Sequence, residues 1–378
     1  ELDDWEEPDN HPSWASISPD GETIIFSKKH NLYKMSGEDY EKILDARRGK
    51  EGEDADKAEK DVEVEEIQLT TDGEEHYGYG GGGRGMTDKE KEKKKDDRKR
   101  VGISWAHNSQ KFSIVRNDSR EVDDLWVIKS VGNKRPELET YKYAMPGEKH
   151  VGVAELSVYD LAADTLIRIQ ADAFKDQTIS TSTARQFYYP DSDEPRRSLW
   201  LSEDPNKLFF MRTSRDLKRI DVALADATTG EVQAVIEERL NTYVEAQRVE
   251  LLSSGDMLWW SERDGWGHLY RYAADGTLKN RLTEGPWSVR RVLGVDEDAG
   301  VVYFMANARE TGEDPYYQHV YRVGLDGRGL KLLDPGNYSH SGNMGESMRF
   351  FVDNYSRVNT IPASALYDAS GRKIMDLE

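Results

Sequence analysis

Cysteine is absent from this 378-residue chain, so disulfide bonds and thiolate metal sites are excluded. Long apolar runs are missing too, because no stretch approaches the ~20 residues that a membrane-spanning helix needs. Basic residues are outnumbered, since 52 Lys and Arg face 72 Asp and Glu and give a formal net charge of −20. A nucleic-acid-binding surface needs a basic face, so we expect no nucleic-acid partner.

Motifs for covalent or metal chemistry are also lacking. No Gly-x-Ser-x-Gly nucleophile elbow occurs, and in the nearest stretch, GNMGES at 342–347, the serine lies outside the glycine frame. The eight histidines form no helical His-x-x-x-His pair. His268 and His319 each precede an apolar-aromatic strand pattern, which favours a structural role for both. We therefore predict no catalytic residue, metal site or cofactor within this chain.

A strand, a polar turn and a second strand recur along the sequence. The first copy has Ser-Pro-Asp-Gly at 18–21 before TIIFS at 23–27, a pattern typical of a β-hairpin. Six copies can be counted, near residues 13–27, 103–115, 198–211, 249–260, 292–305 and 338–352. Repetition at roughly 40–50 residues in strand-rich sequence predicts an all-β chain with a β-propeller fold. We expect one propeller domain over residues 1–378.

Two charged insertions interrupt the repeat. Residues 37–66 are dominated by Asp, Glu and Lys, and a short helix is predicted near 40–48. Residues 77–100 combine a glycine tract at 80–83 with a mixed charge run, which favours a mobile solvated loop. The glycine tract is not a phosphate-binding loop, because it lacks the Gly-Lys-Ser/Thr ending.

Several longer motifs resemble the N-terminal domain of dipeptidyl peptidase IV, in the prolyl oligopeptidase (S9) family. They are SERDGWGHLY at 261–270, EDPYYQHVYRV at 313–323 followed by LDG at 325–327, and FVDNYS at 351–356 with Pro362. Residues 13–33 are similar to the beginning of that domain, and RND at 116–118 with Glu121 and Val122 resembles a further family stretch. The resemblance covers nearly the whole chain.

This resemblance implies an eight-bladed propeller, with seven blades as the alternative, that caps a C-terminal α/β-hydrolase domain carrying serine, aspartate and histidine. The chain is expected to stop where that domain begins, and so to lack a catalytic triad of its own. It would be the non-catalytic half of a bacterial serine exopeptidase, exported to the periplasm or cell surface with its signal peptide removed. Expected partners are peptide substrates, the hydrolase domain and a second copy in a homodimer. The alternative is a free-standing propeller that acts as a protein-interaction scaffold.

In such enzymes, a pair of propeller glutamates holds the free N-terminus of the peptide, and the resemblance places that pair between 69–73 and 104–105. Candidates in or beside this segment are Glu74, Glu75, Glu90 and Glu92. Glu90 and Glu92 alternate with lysines and lack flanking aromatic residues, which departs from the family pattern, whereas Glu74 and Glu75 are adjacent. A second candidate contact region contains Tyr243, Glu245 and Arg248, for which an exposed strand entry is the simpler interpretation.

Overall fold

The computed structural model describes residues 10–80, 86–132, 134–186 and 197–377. Strands dominate these ranges and form six four-stranded antiparallel sheets and a separate two-stranded sheet. The described residues divide into two compact units, one drawn from 1–184, 189–215 and 223–233, and the other from 185–188, 216–222 and 234–378. Within the described residues, no helix has the length and apolar character needed to cross a membrane.

Five of the six sheets are meanders, in which consecutive strands are neighbours. The strands of the first three sheets are β1 (Ser16–Ile17), β2 (Thr23–Lys28), β3 (Asn31–Ser36) and β4 (Ile67–Gln68), then β5 (Ile103–Trp105), β6 (Lys111–Asp118), β9 (Val153–Asp160) and β10 (Thr165–Arg168), then β11 (Thr178–Thr181), β12 (Lys207–Thr213), β13 (Arg219–Asp226) and β14 (Val232–Arg239). In the second sheet, β6 pairs with β9 because the hairpin of β7 (Asp124–Lys129) and β8 (Glu137–Lys142) lies between them in the chain.

The other three sheets belong to the second unit. Their strands are β15 (Glu250–Leu251), β16 (Met257–Ser261), β17 (His268–Tyr272) and β18 (Leu278–Arg281), then β19 (Ser288–Asp296), β20 (Val301–Asn307), β21 (Gln318–Gly324) and β22 (Lys331–Leu332), then β23 (Ser339–Met344), β24 (Phe350–Ser356), β25 (Ala363–Asp368) and β26 (Lys373–Leu377).

Three helices occur among the described residues, and all lie in the first unit. Helices α1 (Gly37–Arg47) and α2 (Gly52–Lys60) connect β3 to β4, and α3 (Asp88–Lys93) precedes β5. Ser36 caps α1 by accepting a hydrogen bond from the backbone N–H of Asp39, and the first turn is acidic, as the helix dipole favours. The helix predicted near 40–48 is therefore confirmed as α1.

The apolar core lies between successive sheets of each unit. In the first unit, Ile25 and Leu32 of the first sheet pack with Phe112 and Tyr159 of the second. In the second unit, each sheet likewise packs on the next, and Val320 belongs to the cluster shared by the fifth and sixth sheets. Because each of these sheets buries both faces against its neighbours, the middle strands are almost fully apolar.

The SERDGWGHLY motif forms the turn between β16 and β17. The indole N–H of Trp260 donates to the Val289 carbonyl at 2.7 Å, which ties the fourth sheet to the fifth. Glycine is required at 267, because a Cβ there would lie 2.4 Å from Cζ2 of Trp260. Tyr270 donates to Asp264 at 2.6 Å across the turn, and burial together with that carboxylate raises the pKa of Tyr270 to about 12. The motif is thus built for packing between sheets.

Five of the six sequence copies coincide with the first two strands of a four-stranded sheet, whereas the copy at 198–211 contains only β12, because the third sheet begins with β11 further upstream. The all-β prediction is confirmed, and face-packed sheets of consecutive antiparallel strands are consistent with the blades of a β-propeller. Residues 95–99 were predicted to belong to a solvated loop, but Lys99 exchanges backbone hydrogen bonds with Ser27, and Lys29 donates to Lys95. The edge of β2 orders them, which their charge alone does not indicate.

Candidate functional site

A cavity of about 1220 Å³ opens in the first unit beside β2 and α3. Its lining includes Glu75, Glu92, His30 and Asn117. Two of the four glutamates predicted from the sequence therefore line one cavity. The other two, Glu74 and Glu90, do not line it.

Glu75 reaches the cavity from a tight turn over residues 74–77. The turn is closed by the Tyr77 N–H donating to the Glu74 carbonyl at 3.0 Å, and His76 adopts a left-handed φ of 63° within it. Ser119 donates to the His76 carbonyl from both its backbone and its hydroxyl, at 3.0 and 3.1 Å. These bonds fix the backbone that carries Glu75, whose side chain stays 61% exposed.

Glu74 points elsewhere, because its carboxylate accepts a hydrogen bond from the guanidinium of Arg120. That guanidinium also binds Asp118, through Nε to Oδ1 at 2.9 Å. Glu74 is therefore already neutralised by a cation of the same chain. It is a poor candidate for binding an incoming ammonium group.

Glu90 serves the N-terminus of α3. Its Oε2 accepts from the backbone N–H of Thr87 at 2.9 Å, while the Thr87 hydroxyl accepts from the Glu90 N–H at 3.4 Å, which completes a capping box. The hydrogen bonds from Thr87 lower the pKa of Glu90. This role explains why Glu90 is turned away from the cavity, and the Thr-x-x-Glu spacing at 87–90 was a readable signal for it.

Glu92, two residues further along α3, pairs with Lys95 and faces the cavity. The hydrogen bond to Glu92 and then the charge of Glu92 raise the pKa of Lys95, with smaller contributions from Asp96 and Glu75. His30 is also close enough for the charges of Glu75 and Glu92 to affect its pKa. Burial and the neighbouring Lys99 lower the pKa of His30, against the opposing influence of Glu75 and Glu92. The cavity thus presents two carboxylates, those of Glu75 and Glu92, whose charges both act on His30.

Arg116 organises the opposite side of the turn that carries Glu75. Its guanidinium binds Asp72 at 2.8 Å and lies 3.5 Å from the ring centroid of Tyr77. Tyr79 donates to the other oxygen of Asp72 at 2.9 Å, and Tyr77 donates to Glu155 at 2.6 Å. This network holds residues 72–79 against β6 and β9.

The second candidate region lies in the second unit. Tyr243 is exposed, and Glu245 accepts from the side-chain amide of Gln247 at 3.1 Å. Glu245 also faces Glu262, and burial followed by this like charge raises the pKa of Glu262. Arg248 lies near Glu250 and Arg185, and Glu250 accepts a hydrogen bond from Arg185. The region therefore groups carboxylates and arginines, and Tyr243, Glu245 and Arg248 do not line the cavity that contains Glu75 and Glu92.

Two groups of side chains among the described residues have metal-ligand types within 4.8 Å of one another. Glu75, His76 and Asp88 form an exposed group beside the cavity. His319, Asp334 and His340 form a buried one in the second unit. The sequence indicated neither, because the members of each group are far from any recognised ligand spacing.

Face-packed four-stranded sheets with polar insertions define the class as a β-propeller-type domain with a side cavity, and comparisons with known proteins give the family. Residues 58–362 match the model of the dipeptidyl peptidase IV N-terminal region, and the chain belongs to that family. The sequence-based recognition is therefore confirmed.

Similar proteins carry related names. A probable dipeptidyl-aminopeptidase B of Aspergillus oryzae is 25% identical over 401 residues, with 97% of this chain and 38% of that protein covered. A dipeptidyl peptidase 4 of Arthroderma otae is 29% identical over 115 residues, which cover 30% of this chain and 14% of that protein. The crystal structure of Porphyromonas gingivalis dipeptidyl peptidase 4 has the same fold, with a TM-score of 0.70 at 20% identity over 98% of this chain and 46% of the other. The chain spans less than half the length of these relatives.

Proposed function

We propose that the chain is the non-catalytic propeller half of an exported serine exopeptidase that removes dipeptides or short oligopeptides. A hydrolase domain with serine, aspartate and histidine would cleave, and this domain would gate access and position the peptide N-terminus. The observation that carries the proposal is membership of the dipeptidyl peptidase IV N-terminal family over residues 58–362. The missing nucleophile elbow agrees with a division of labour between two domains.

Glu75 and Glu92 are the residues we propose to bind the peptide ammonium group. Both line the same cavity, and Glu92 already pairs with the ammonium group of Lys95. A peptide N-terminus that entered the cavity would compete with Lys95 for the carboxylate of Glu92, and the displaced lysine would return when the product leaves. Charge-assisted hydrogen bonds of this kind fix orientation as well as supply affinity. The net charge of −20 favours approach of a cationic peptide end.

The number of blades belongs to the same proposal. Six four-stranded sheets are present in the described residues. An eight-bladed ring would require two further sheets from residues outside the described ranges or from a longer natural chain. An experimental structure of the complete protein counts them directly.

The partners and the location are proposals as well. The hydrolase domain of the same polypeptide, peptide substrates and a second copy of the chain are the proposed partners, and the periplasm or cell surface of a bacterium is the proposed location. The competing function is a free-standing interaction scaffold. The natural reading frame separates the two: continuation into an α/β-hydrolase sequence with Gly-x-Ser-x-Gly supports the enzyme, and a stop codon supports the scaffold.

Peptide binding tests the role of Glu75 and Glu92. A fluorescent peptide with a free N-terminus is titrated against the chain, alongside the same peptide with an acetylated N-terminus. We expect the free peptide to bind more tightly, and Glu75→Gln or Glu92→Gln to weaken it about fivefold, as an exposed ion pair of ~1 kcal/mol predicts.

Glu74→Gln is the matched control, because Glu74 neighbours Glu75 but is paired with Arg120 outside the cavity. It should bind both peptides like the unsubstituted chain. Equal affinity for free and acetylated peptides would overturn the ammonium-binding role of this cavity.

A further inference from the structure

Four ionisable side chains meet in the interior of the second unit, where the fifth and sixth sheets pack together. His319 lies on β21, His340 on β23 and Asp353 on β24, while Asp334 follows β22. The side chains of both aspartates are 0% exposed and those of both histidines 3% exposed. Isolated charges at such depth cost far more free energy than packing returns, so each must have a partner of opposite charge.

Three of the side chains, His319, Asp334 and His340, have ligand atoms within 4.8 Å of one another, and Asp353 adjoins His340. Nδ1 of His319 lies 3.4 Å from Oδ1 of Asp334, and Nδ1 of His340 lies 3.4 Å from Oδ2 of the same carboxylate. Nδ1 of His340 is also 2.7 Å from Oδ2 of Asp353. Ligands at ~2.0–2.2 Å from a tetrahedral ion are separated by about 3.4 Å, so two of these three separations match such an ion directly.

The Nε2 atom of each imidazole also faces an oxygen acceptor. Nε2 of His319 lies 2.9 Å from Oε2 of Glu313, and Nε2 of His340 lies 3.2 Å from the Gly336 carbonyl. Both nitrogens of each ring therefore face oxygen atoms, an arrangement that fits either a doubly protonated imidazole or a cation bound at Nδ1. A carboxylate or carbonyl behind each histidine is the usual outer support of a metal-bound imidazole.

In the described part of the chain, the carboxylate of Asp353 has a hydrogen-bond partner on one oxygen only. Oδ1 of Asp353 is buried and has no hydrogen-bond partner among the residues that the structure describes. A buried carboxylate oxygen without a donor is strongly unfavourable. A cation would satisfy it.

The preceding sheet contains the same arrangement without the charge. His268 on β17 occupies the place of His319, with Nε2 3.0 Å from the Gly285 carbonyl and Nδ1 3.1 Å from the hydroxyl of Thr283. The hydroxyl of Thr283 also accepts a hydrogen bond from the backbone N–H of Leu269 at 3.1 Å. In the next sheet, the carboxylate of Asp334 accepts the corresponding bond from the backbone N–H of Val320. A neutral hydroxyl is therefore enough to support the strand at this position, and the negative charge of Asp334 is not required for the fold.

We propose that His319, Asp334, His340 and Asp353 form a structural site for one divalent cation of the zinc type. Two imidazole nitrogens and two carboxylates are a ligand set that Zn²⁺ accepts in tetrahedral geometry. Two neutral histidines, two carboxylates and one divalent ion sum to zero charge, which suits a closed interior. The ion would join β21, β23 and β24, and so stabilise the packing of the last two sheets.

Metal content and thermal stability test the site. The chain is expressed with Zn²⁺ in the medium and exchanged into metal-free buffer. Its zinc content is then measured by inductively coupled plasma mass spectrometry. We expect one zinc per chain, and a lower melting temperature after a strong chelator in mild denaturant has removed it. Glu313→Gln, which weakens the support of His319, should lower the zinc affinity by roughly tenfold or more.

Asp334→Thr copies the residue of the preceding sheet, so it should fold while losing zinc. Asp353→Asn is the second variant, and it should lose zinc as well, whatever the folding of the first. The matched control, His268→Asn, should retain one zinc, as should a double Glu75→Gln, His76→Gln variant of the exposed group. A zinc-free wild-type chain, or full zinc occupancy in Asp334→Thr or Asp353→Asn, would overturn the proposal.

Discussion

At the scale of single residues, buried carboxylates in this protein are compensated by cations at close range. Asp256 is an example, with its side chain 7% exposed and its Oδ2 2.6 Å from Nη2 of Arg271 and 2.8 Å from Nζ of Lys279. Burial alone would raise the pKa of Asp256, but the hydrogen bonds and charges of Lys279 and Arg271 hold it below its ordinary value. The folded protein therefore favours the ionised form.

This shift predicts the pH dependence of stability. A carboxyl group with a lowered folded-state pKa stabilises the protein above its unfolded pKa of ~3.9, and the contribution is lost as the pH falls through the folded value. Asp256→Asn should lower the free energy of unfolding by about 1.5–3 kcal/mol at pH 7. That difference should shrink toward pH 3. Denaturant unfolding at both pH values measures it, with the exposed Asp298→Asn as control, and a difference that grows on acidification would refute the assignment.

Residue roles also show where sequence reasoning succeeds and where it ends. The segment that carries Glu74, Glu75, Glu90 and Glu92 could be located from the family motifs around it. Which of the four face the cavity depends on a turn at 74–77 and on the Arg120 contact, and the latter joins residues 46 positions apart. A single sequence gives no sign of such a distant pair.

At the scale of elements, helices α1 and α2 are highly charged, and a buried ion pair joins them. Arg47 of α1 binds Glu59 of α2 through Nη1 and Oε2 at 2.6 Å, and the indole N–H of Trp14 donates to the other oxygen of Glu59 at 2.9 Å. Both charged side chains are buried. The sequence predicts one short helix within residues 37–66 but not this buried contact, through which Trp14, Arg47 and Glu59 form a small polar core.

Removing Glu59 should therefore loosen the helical pair. Glu59→Ala leaves the buried guanidinium of Arg47 with its hydrogen bonds to Asn10 and with the carboxylate of Asp56, which lies 2.9 Å away and is 65% exposed. We expect a loss of about 2–3 kcal/mol in the free energy of unfolding. Glu53→Ala, in the same helix but 93% exposed, should change it by less than about 0.5 kcal/mol. Equal effects of the two substitutions in urea unfolding would show that the buried pair adds nothing.

At the scale of the whole molecule, the six-fold repetition was predictable because each copy repeats a local signal of turn residues between β-branched and aromatic strands. The β7–β8 hairpin was not, because it extends away from the sheets and leaves Trp126 71% and Ile128 67% exposed. Nor was the meeting of His319 with His340, since packing between neighbouring sheets brings them together. Local pattern determines the sheets, and contacts between sheets determine the sites.

The exposed hairpin predicts self-association. A two-stranded sheet is marginal alone, and both outer edges of β7 and β8 are unpaired with other named strands. We expect a second copy of the chain to cover Trp126 and Ile128. Sedimentation velocity should show a dimer that Trp126→Glu converts to monomer. Tyr316→Glu should leave the dimer intact, because Tyr316 is 83% exposed but lies in the second unit. A monomeric wild-type chain at micromolar concentration would contradict this.

The correspondence between Thr283 and Asp334 has a consequence for how such proteins change over time. A fold assembled from near-identical modules holds several versions of each supporting contact. One copy of the contact can gain a new chemical property while the other copies keep the original contact. A substitution of this kind therefore need not destabilise the fold. The fourth and fifth sheets would then record the state before and after such a change within a single polypeptide.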